Sequence, residues 1–140
     1  MTALEMDPQI RARWVAALRS GKYEQGREYL HRDGKLCCLG VLCELAAADG
    51  VIPPPRPGVD RIWLYGEAGG MLPAAVMAWA GLTSNDPEIR GICLSARNDG
   101  VSPEAAAQTE GDVEPLRAAE PHTFAQIADL IEGTRAEAAA

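Results

Sequence analysis

The sequence predicts an α+β fold, in which a small antiparallel sheet, built from a hairpin plus one or two strands, packs against three or four short helices. Apolar residues recur every three to four positions in four separate stretches, as on one face of a helix. Asp33-Gly34 lies between two short alternating runs, which favours a β-hairpin. Arg61–Tyr65 is short and rich in β-forming residues. A length of 140 residues suits one domain, so we expect a single domain over 1–140.

Four helices are predicted, with recognisable start and stop residues. Asp7 can cap the first helix, and Pro8 suits its first position because the missing N–H has no partner there. Thr123 and Gln126 fit a capping box at the start of the last helix. The predicted helices begin at Pro8, Leu39, Pro73 and Phe124 and end at Gly21, Asp49-Gly50, Gly81 and Gly133. They would cover one face of the sheet or wrap one edge.

A final strand is predicted within Ile89–Ala96, and a turn at Asn98-Asp99-Gly100 would lie close to the end of the sheet. Asn and Asp at turns commonly hydrogen-bond to their own backbone. We therefore expect that local role for Asn98 and Asp99.

Three segments have a biased composition. Residues 53–58 are proline-rich and cannot form a helix or a central strand, which predicts a stiff, extended connector. Residues 102–120 hold five acidic residues and one arginine, a net charge of −4, with little to bury. That composition predicts a flexible, solvated insertion. The residues after 133 are expected to fray.

The charge balance argues against nucleic acid as a partner. The formal net charge is −7 at pH 7 and the sequence pI is about 4.8, whereas nucleic-acid binders usually carry a basic patch. The basic residues of the first quarter fit a solvated face: Arg11, Arg13, Arg19, Lys22, Arg27, Arg32 and Lys35.

No run of residues reaches the ~18 apolar positions of a membrane span. The first eight residues also lack the basic start and apolar stretch of a secretion signal. We therefore expect a cytoplasmic chain with no membrane partner, whose four cysteines are reduced thiols.

Four motifs in this chain resemble those of a known family. They are Trp-x-x-Ala-Leu-Arg-Ser-Gly-x-Tyr at 14–23, Cys-Cys-Leu-Gly-Val-Leu-Cys at 37–43, Leu-Pro-x-x-Val-x-x-Trp-Ala-Gly-Leu at 72–82, and Asn-Asp-Gly at 98–100 followed by Thr-Phe-x-x-Ile-Ala-Asp-Leu-Ile at 123–131. In this order they resemble a family of small proteins of unknown function found in tailed phages, prophages and actinobacteria. The chain departs from the family pattern by inserting about twenty residues between the last two segments, and by carrying Arg97 where members usually have leucine. The resemblance implies a genomic setting and no particular reaction.

The best-defined candidate for a catalytic group is the thiol of Cys38. The hairpin would deliver Cys37 and Cys38 to the start of a helix, whose free N–H groups favour a thiolate. A histidine base and a residue that orients it would complete a Cys-His-Asn type of site, drawn from His31, His122, Asn98 and Asp99. The alternative is that the cysteines are buried as small hydrophobic residues, as expected for Cys43 on the apolar face of its helix.

The sequence predicts neither a metal site nor a cofactor. Adjacent cysteines in a strand point to opposite faces, and Cys93 and the histidines are isolated. The sequence also lacks a phosphate-loop motif and a Gly-x-Ser-x-Gly elbow.

The tryptophans divide into two groups. Trp14 and Trp79 lie on apolar helical stripes and are predicted to be core. Exposed aromatic residues mark binding surfaces, so we expect Tyr23, Trp63 and Tyr65 to form any patch that binds a ligand or partner.

The leading hypothesis is a non-enzymatic binding module. It would be an accessory protein of phage or mobile-element type that binds a host protein or a small ligand, with a role against host defence as a special case. This hypothesis depends on the absence of a complete catalytic set and on the family resemblance. A thiol hydrolase or transferase using Cys38 and a structural or assembly protein are the alternatives. The sequence leaves the partner and the oligomeric state open.

Overall fold

Helices alternate with short strand pairs along the chain in the computed structural model, which describes residues 3–100 and 120–133. Within these residues lie the α-helices α1 (Pro8–Arg19), α2 (Cys38–Ala48), α3 (Ala74–Ala80), α4 (Leu94–Asp99) and α5 (Phe124–Glu132). A 3₁₀ turn covers Val59–Arg61. The predicted frayed tail, and all of the predicted acidic insertion except Glu120, lie outside the described residues.

The strands of the described chain are two residues long and form antiparallel pairs. The pairs are β1 (His31–Arg32) with β2 (Lys35–Leu36), β3 (Arg56–Pro57) with β4 (Trp63–Leu64), and β5 (Glu88–Ile89) with β6 (Ile92–Cys93). Single bridges link Gln25 to Leu36 and Arg32 to Ile62, so the β1–β2 hairpin contacts a neighbouring segment on each side. The predicted α+β class is confirmed, with the strands arranged as pairs instead of one continuous sheet.

The local signals predicted the helix ends and the hairpin well. The Asp7 carboxylate accepts hydrogen bonds from the N–H groups of Gln9 and Ile10, and Pro8 is the first residue of α1. Thr123 forms the predicted capping box with Gln126. Asp33 and Gly34 have φ values of 56° and 76°, the left-handed conformations that a tight hairpin turn requires.

The prediction of one strand within Ile89–Ala96 and a turn at Asn98-Asp99-Gly100 was wrong. Arg90 and Gly91 both have positive φ, so the chain reverses there and the strand becomes a hairpin. Helix α4 then begins at Leu94, and Asn98 and Asp99 lie in its last turn. A six-residue helix is too short to give a periodic sequence signal, which explains the error.

Part of the proline-rich segment 53–58 forms a strand pair. Arg56-Pro57 runs antiparallel to Trp63-Leu64. Proline is tolerated there because an edge strand leaves one side of its backbone unpaired.

The core lies where α1, α2 and α5 meet. Helix α1 packs against α5 and α2, and Arg19 of α1 forms ion pairs with Asp129 and Glu132 of α5. Trp14 is fully buried, and its indole N–H donates to the Cys38 carbonyl at 2.9 Å. Trp79 is only partly buried, with the Arg13 guanidinium over its ring, so the core prediction holds for Trp14 alone.

In the part of the chain that the structure describes, no helix is both long enough and apolar enough to cross a membrane.

Candidate functional site

The side chain of Asn98 connects three parts of the fold. It is fully buried at the end of α4. Its amide oxygen accepts from the backbone N–H of Cys38 at 3.1 Å and from the Gln25 side chain at 3.0 Å. Its amide nitrogen donates to the Gly26 carbonyl at 2.8 Å and to the Asp99 carboxylate at 2.9 Å. Because Cys37 gives α2 no side-chain cap, Asn98 supplies that cap from a distant segment.

Asp99 and Gln25 extend the same network. The Asp99 carboxylate accepts from the backbone N–H of Glu28 at 3.0 Å. Gln25 donates to the His122 carbonyl at 2.8 Å and accepts from the backbone N–H of Phe124 at 3.1 Å. The expected local role of Asn98 and Asp99 was therefore wrong, because both side chains bond to distant backbone groups. The network holds the loop at 25–28 against α2, α4 and the start of α5.

Cys38 is the first residue of α2, and its thiol is completely buried. Within the described residues, the thiol sulfur donates to the Leu94 carbonyl at 3.7 Å and not to a histidine. Burial raises the pKa of Cys38 well above its ordinary value and that of Cys37 to about 11. The N–H groups of Leu39 and Gly40 lower the pKa of Cys37, but desolvation is the larger effect. Both thiols stay protonated at neutral pH.

His122 lies at the edge of the same network without completing a catalytic pair. Its backbone N–H donates to the Arg97 carbonyl at 2.8 Å. Burial and the nearby Arg97 lower the pKa of its imidazole. The ring nitrogen Nδ1 is buried and has no hydrogen-bond partner among the described residues. The structure thus brings Cys38, Asn98, Asp99 and His122 into one region, where their contacts are structural.

His31 belongs to a second cluster, which we call the His31 patch: His31, Glu44, Trp63 and Tyr65. The rings of His31 and Trp63 stack, with centroids 5.5 Å apart and planes at 21°. The Tyr65 hydroxyl donates to the Glu44 carboxylate at 2.6 Å and lies 3.3 Å from Nδ1 of His31. Strands β1 and β4 carry the stacked pair, and α2 supplies Glu44. A buried tyrosine and a carboxylate therefore hold a partly exposed histidine and tryptophan in place.

The hydrogen bonds of the patch fix the tautomer of His31. Burial and the neighbouring Glu44 raise the pKa of Tyr65, so its hydroxyl keeps its proton and donates it to Glu44 in the hydrogen bond. The phenol oxygen can then only accept from His31, which places the imidazole proton on Nδ1. Burial lowers the pKa of His31 more than Glu44 raises it. At neutral pH the ring is therefore neutral, and its Nε2 can accept a hydrogen bond.

The predicted recognition residues have different roles in the structure. Trp63 is partly exposed, as a contact residue must be. Tyr65 is only 1% exposed, so its expected exposure was wrong; it supports the patch from within. Tyr23 is partly buried and packs against the core, and no ring contact joins it to the patch within the described residues.

Sequence reasoning missed Glu44, Gln25 and the Asn98 cap. Glu44 falls on a helix where a charged residue usually faces water, and nothing local indicates that α2 lies behind Tyr65. Gln25 follows the first family motif closely, but nothing in the local sequence indicates its hydrogen-bond partners. Only the tertiary packing of the hairpin on α2 reveals either residue.

Across 3–100 and 120–133, no three His, Cys, Asp or Glu side chains come together as a metal ion would need. A cavity of about 350 Å³ is lined by residues 3–5, 82–84 and 87–90, and none of the sequence-predicted site residues lines it.

Comparison with known proteins places most of the chain in one family model. That model, described as a domain of unknown function (DUF8296), matches residues 6–135. No curated protein and no solved structure matches the chain.

Proposed function

The chain belongs to the DUF8296 family, and we propose that it is a non-enzymatic binding protein whose recognition surface is the His31 patch. The observation that carries the proposal is the stacked, partly exposed pair of His31 and Trp63. The partner would be a protein that places an apolar group on Trp63 and a hydrogen-bond donor on Nε2 of His31. The motif resemblance supports a phage or actinobacterial setting for such a partnership, with a host protein as the partner.

The side chains of the His31 patch are held in fixed positions, which favours the use of the patch as a binding surface. Tryptophan is enriched among the residues that dominate binding energy. A side chain that is already held in place loses little rotational freedom on binding, so more of its contact energy becomes affinity. The Glu44–Tyr65–His31 hydrogen bonds and the stacking on Trp63 supply that order before a partner arrives.

The state of the cysteines supports binding over thiol catalysis. A thiol nucleophile must be accessible and must reach the thiolate form near neutral pH. Cys38 is fully buried and its pKa is raised, which opposes both requirements.

The test is affinity capture with three forms of the full chain: wild type, Trp63→Ala and Trp79→Ala. Trp79 is the matched control, because it is also a partly buried tryptophan and has an arginine over its ring. The immobilised proteins are incubated with an actinobacterial lysate, and retained proteins are identified by mass spectrometry. We expect a protein that wild type and Trp79→Ala retain and Trp63→Ala loses, with all three forms folded by circular dichroism. Equal retention by all three, or no retained protein, contradicts the proposal.

Acidification provides a second readout of the same site. Protonation of His31 turns Nε2 from an acceptor into a donor, so the captured protein should dissociate as the pH falls from 7.5 to 5.5. Retention that does not change over this range removes His31 from the recognition surface.

A further inference from the structure

The β1–β2 hairpin carries an unusual concentration of positive charge for an acidic protein. A cavity of about 180 Å³ is lined by Gly26, Arg27, Arg32, Asp33 and Lys35. We call it the hairpin cavity. Arg32 and Lys35 are directly paired across the two strands. Like charges at directly opposed positions destabilise a strand pair, so folding alone does not explain this placement.

Little of this charge is neutralised by the described residues. Asp33 forms its ion pair with Arg61 at 3.0 Å, which balances the one acidic group of the cavity. The approach of Lys35 to Glu24 is long, at 4.0 Å, and both side chains are largely exposed, so it contributes little. Neither Arg27 nor Arg32 forms an ion pair with any residue of 3–100 or 120–133.

One of the three cationic side chains is oriented by an aromatic ring, and the backbone next to a second is fixed. The Arg32 guanidinium lies over the Tyr29 ring, 5.2 Å from its centroid, which orients the side chain and leaves its charge available. The backbone around Arg27 is fixed on both sides, because Asn98 donates to the Gly26 carbonyl and Asp99 accepts from the Glu28 N–H.

The loop that carries Arg27 is also strained. Glu28 has φ = 73°, a conformation that residues with a side chain seldom adopt. Gly26 lies so close to β2 that an added Cβ would be 2.9 Å from Cβ of Lys35. Such strain persists only where the surrounding structure enforces it, and it is concentrated at sites that hold ligands.

We propose that the hairpin cavity binds the phosphoryl group of a small phosphorylated ligand. Three cationic residues line this cavity, which suits a group that carries more than one negative charge, and a phosphate monoester carries about −1.5 to −2 at pH 7. Arginine and lysine are the usual phosphate-binding side chains. The inference shares no residue with the His31 patch and does not depend on the proposed function.

The test is calorimetric titration of the full chain with inorganic pyrophosphate at pH 7.5 and low ionic strength. Variants Arg27→Gln, Arg32→Gln and Lys35→Gln each remove one cation from the exposed rim. Arg56→Gln is the control, because Arg56 is an exposed arginine of the neighbouring strand pair outside the cavity. We expect saturable binding by wild type and by Arg56→Gln. Each cavity variant should bind about tenfold more weakly, which corresponds to a loss of about 1.4 kcal/mol in binding free energy.

The absence of saturable binding by wild type overturns the proposal. So does an equal loss in all four variants, which indicates attraction to general surface charge. A third contrary result is binding to phosphatidic acid vesicles without binding to pyrophosphate, which assigns the cavity to a membrane surface. Urea unfolding of each variant verifies that the fold is intact.

Discussion

Asn98 shows how one buried side chain can determine the position of several segments. An amide has two donor and two acceptor positions, and Asn98 uses both kinds in contacts with Cys38, Gln25, Gly26 and Asp99. A buried backbone group that loses its partner costs about 1–3 kcal/mol. The residue is therefore important to stability.

We predict that Asn98→Ala lowers the free energy of unfolding by about 3 kcal/mol, because it leaves the N–H of Cys38 and the carbonyl of Gly26 without partners. Urea unfolding measures the loss. The matched control is Asn85→Ala at an exposed position, where a change within about 0.5 kcal/mol is expected. A loss below about 1 kcal/mol for Asn98→Ala would mean that water replaces the amide.

For individual residues, the sequence predicted which side chains lie near each other better than it predicted what those side chains do. The possible catalytic set comprised Cys38, His31, His122, Asn98 and Asp99. The structure brings all of them except His31 into one hydrogen-bond network. The prediction that N–H groups at a helix start lower a thiol pKa was correct in direction, since they do lower the pKa of Cys37. Desolvation outweighs them, and desolvation depends on tertiary packing that a single sequence does not display.

Helix α2 approaches the hairpin unusually closely at Gly40. An added Cβ there would lie 1.9 Å from the Leu30 carbonyl oxygen and 2.8 Å from its carbon. Both atoms belong to the backbone, so they cannot rotate away. Glycine at this position allows α2 to lie directly behind β1 and to bring Glu44 to Tyr65.

We predict that Gly40→Ala destabilises the protein by about 3 kcal/mol or more, because the clash exceeds the roughly 1 kcal/mol that alanine gains in a helix. Gly70→Ala is the control, because a Cβ added at Gly70 would have no atom within 4 Å and the φ of this residue is not positive. Thermal unfolding should separate the two variants clearly. Similar thermal unfolding midpoints for both variants would contradict the close approach of Gly40 to the Leu30 backbone.

Among the elements, those with chemical end signals were predicted, whereas the β5–β6 hairpin and α4 were not. Asp7-Pro8, the Thr123–Gln126 capping box and Asp33-Gly34 each fix a boundary through local hydrogen bonds or backbone conformation. The β5–β6 hairpin and α4 have two-residue strands and a six-residue helix, so they depend on the packing around them.

The shifted pKa values of the histidines and cysteines make the whole molecule less stable at both low and high pH. Burial lowers the pKa of His31 and His122, so below about pH 6.5 the unfolded chain binds more protons and stability falls. Burial raises the pKa of Cys37, Cys38 and Cys43, so above about pH 8.5 the unfolded chain releases protons first and stability falls again.

We therefore predict a maximum of stability between about pH 6.5 and pH 8.5. Urea midpoints at pH 5.5, 7.5 and 9.5 provide the measurement, and the highest should be at pH 7.5. The double variant His31→Gln, His122→Gln should show a smaller decrease between pH 7.5 and 5.5. A wild-type midpoint that rises on acidification would contradict the assignment of neutral, buried imidazoles.

The cysteine-rich segment 37–43 is part of the core of the molecule, which agrees with the proposed binding function and not with thiol catalysis. The most direct measurement is alkylation of the native chain with iodoacetamide at pH 6 and pH 7.5, followed by intact-mass analysis. Cys37, Cys38 and Cys43 are buried and Cys93 is partly exposed. We predict at most one slow adduct, mapped to Cys93, with the other three thiols reacting only after denaturation in urea. Rapid alkylation of Cys37 or Cys38 at pH 6 would reveal a stabilised thiolate and would contradict the claim.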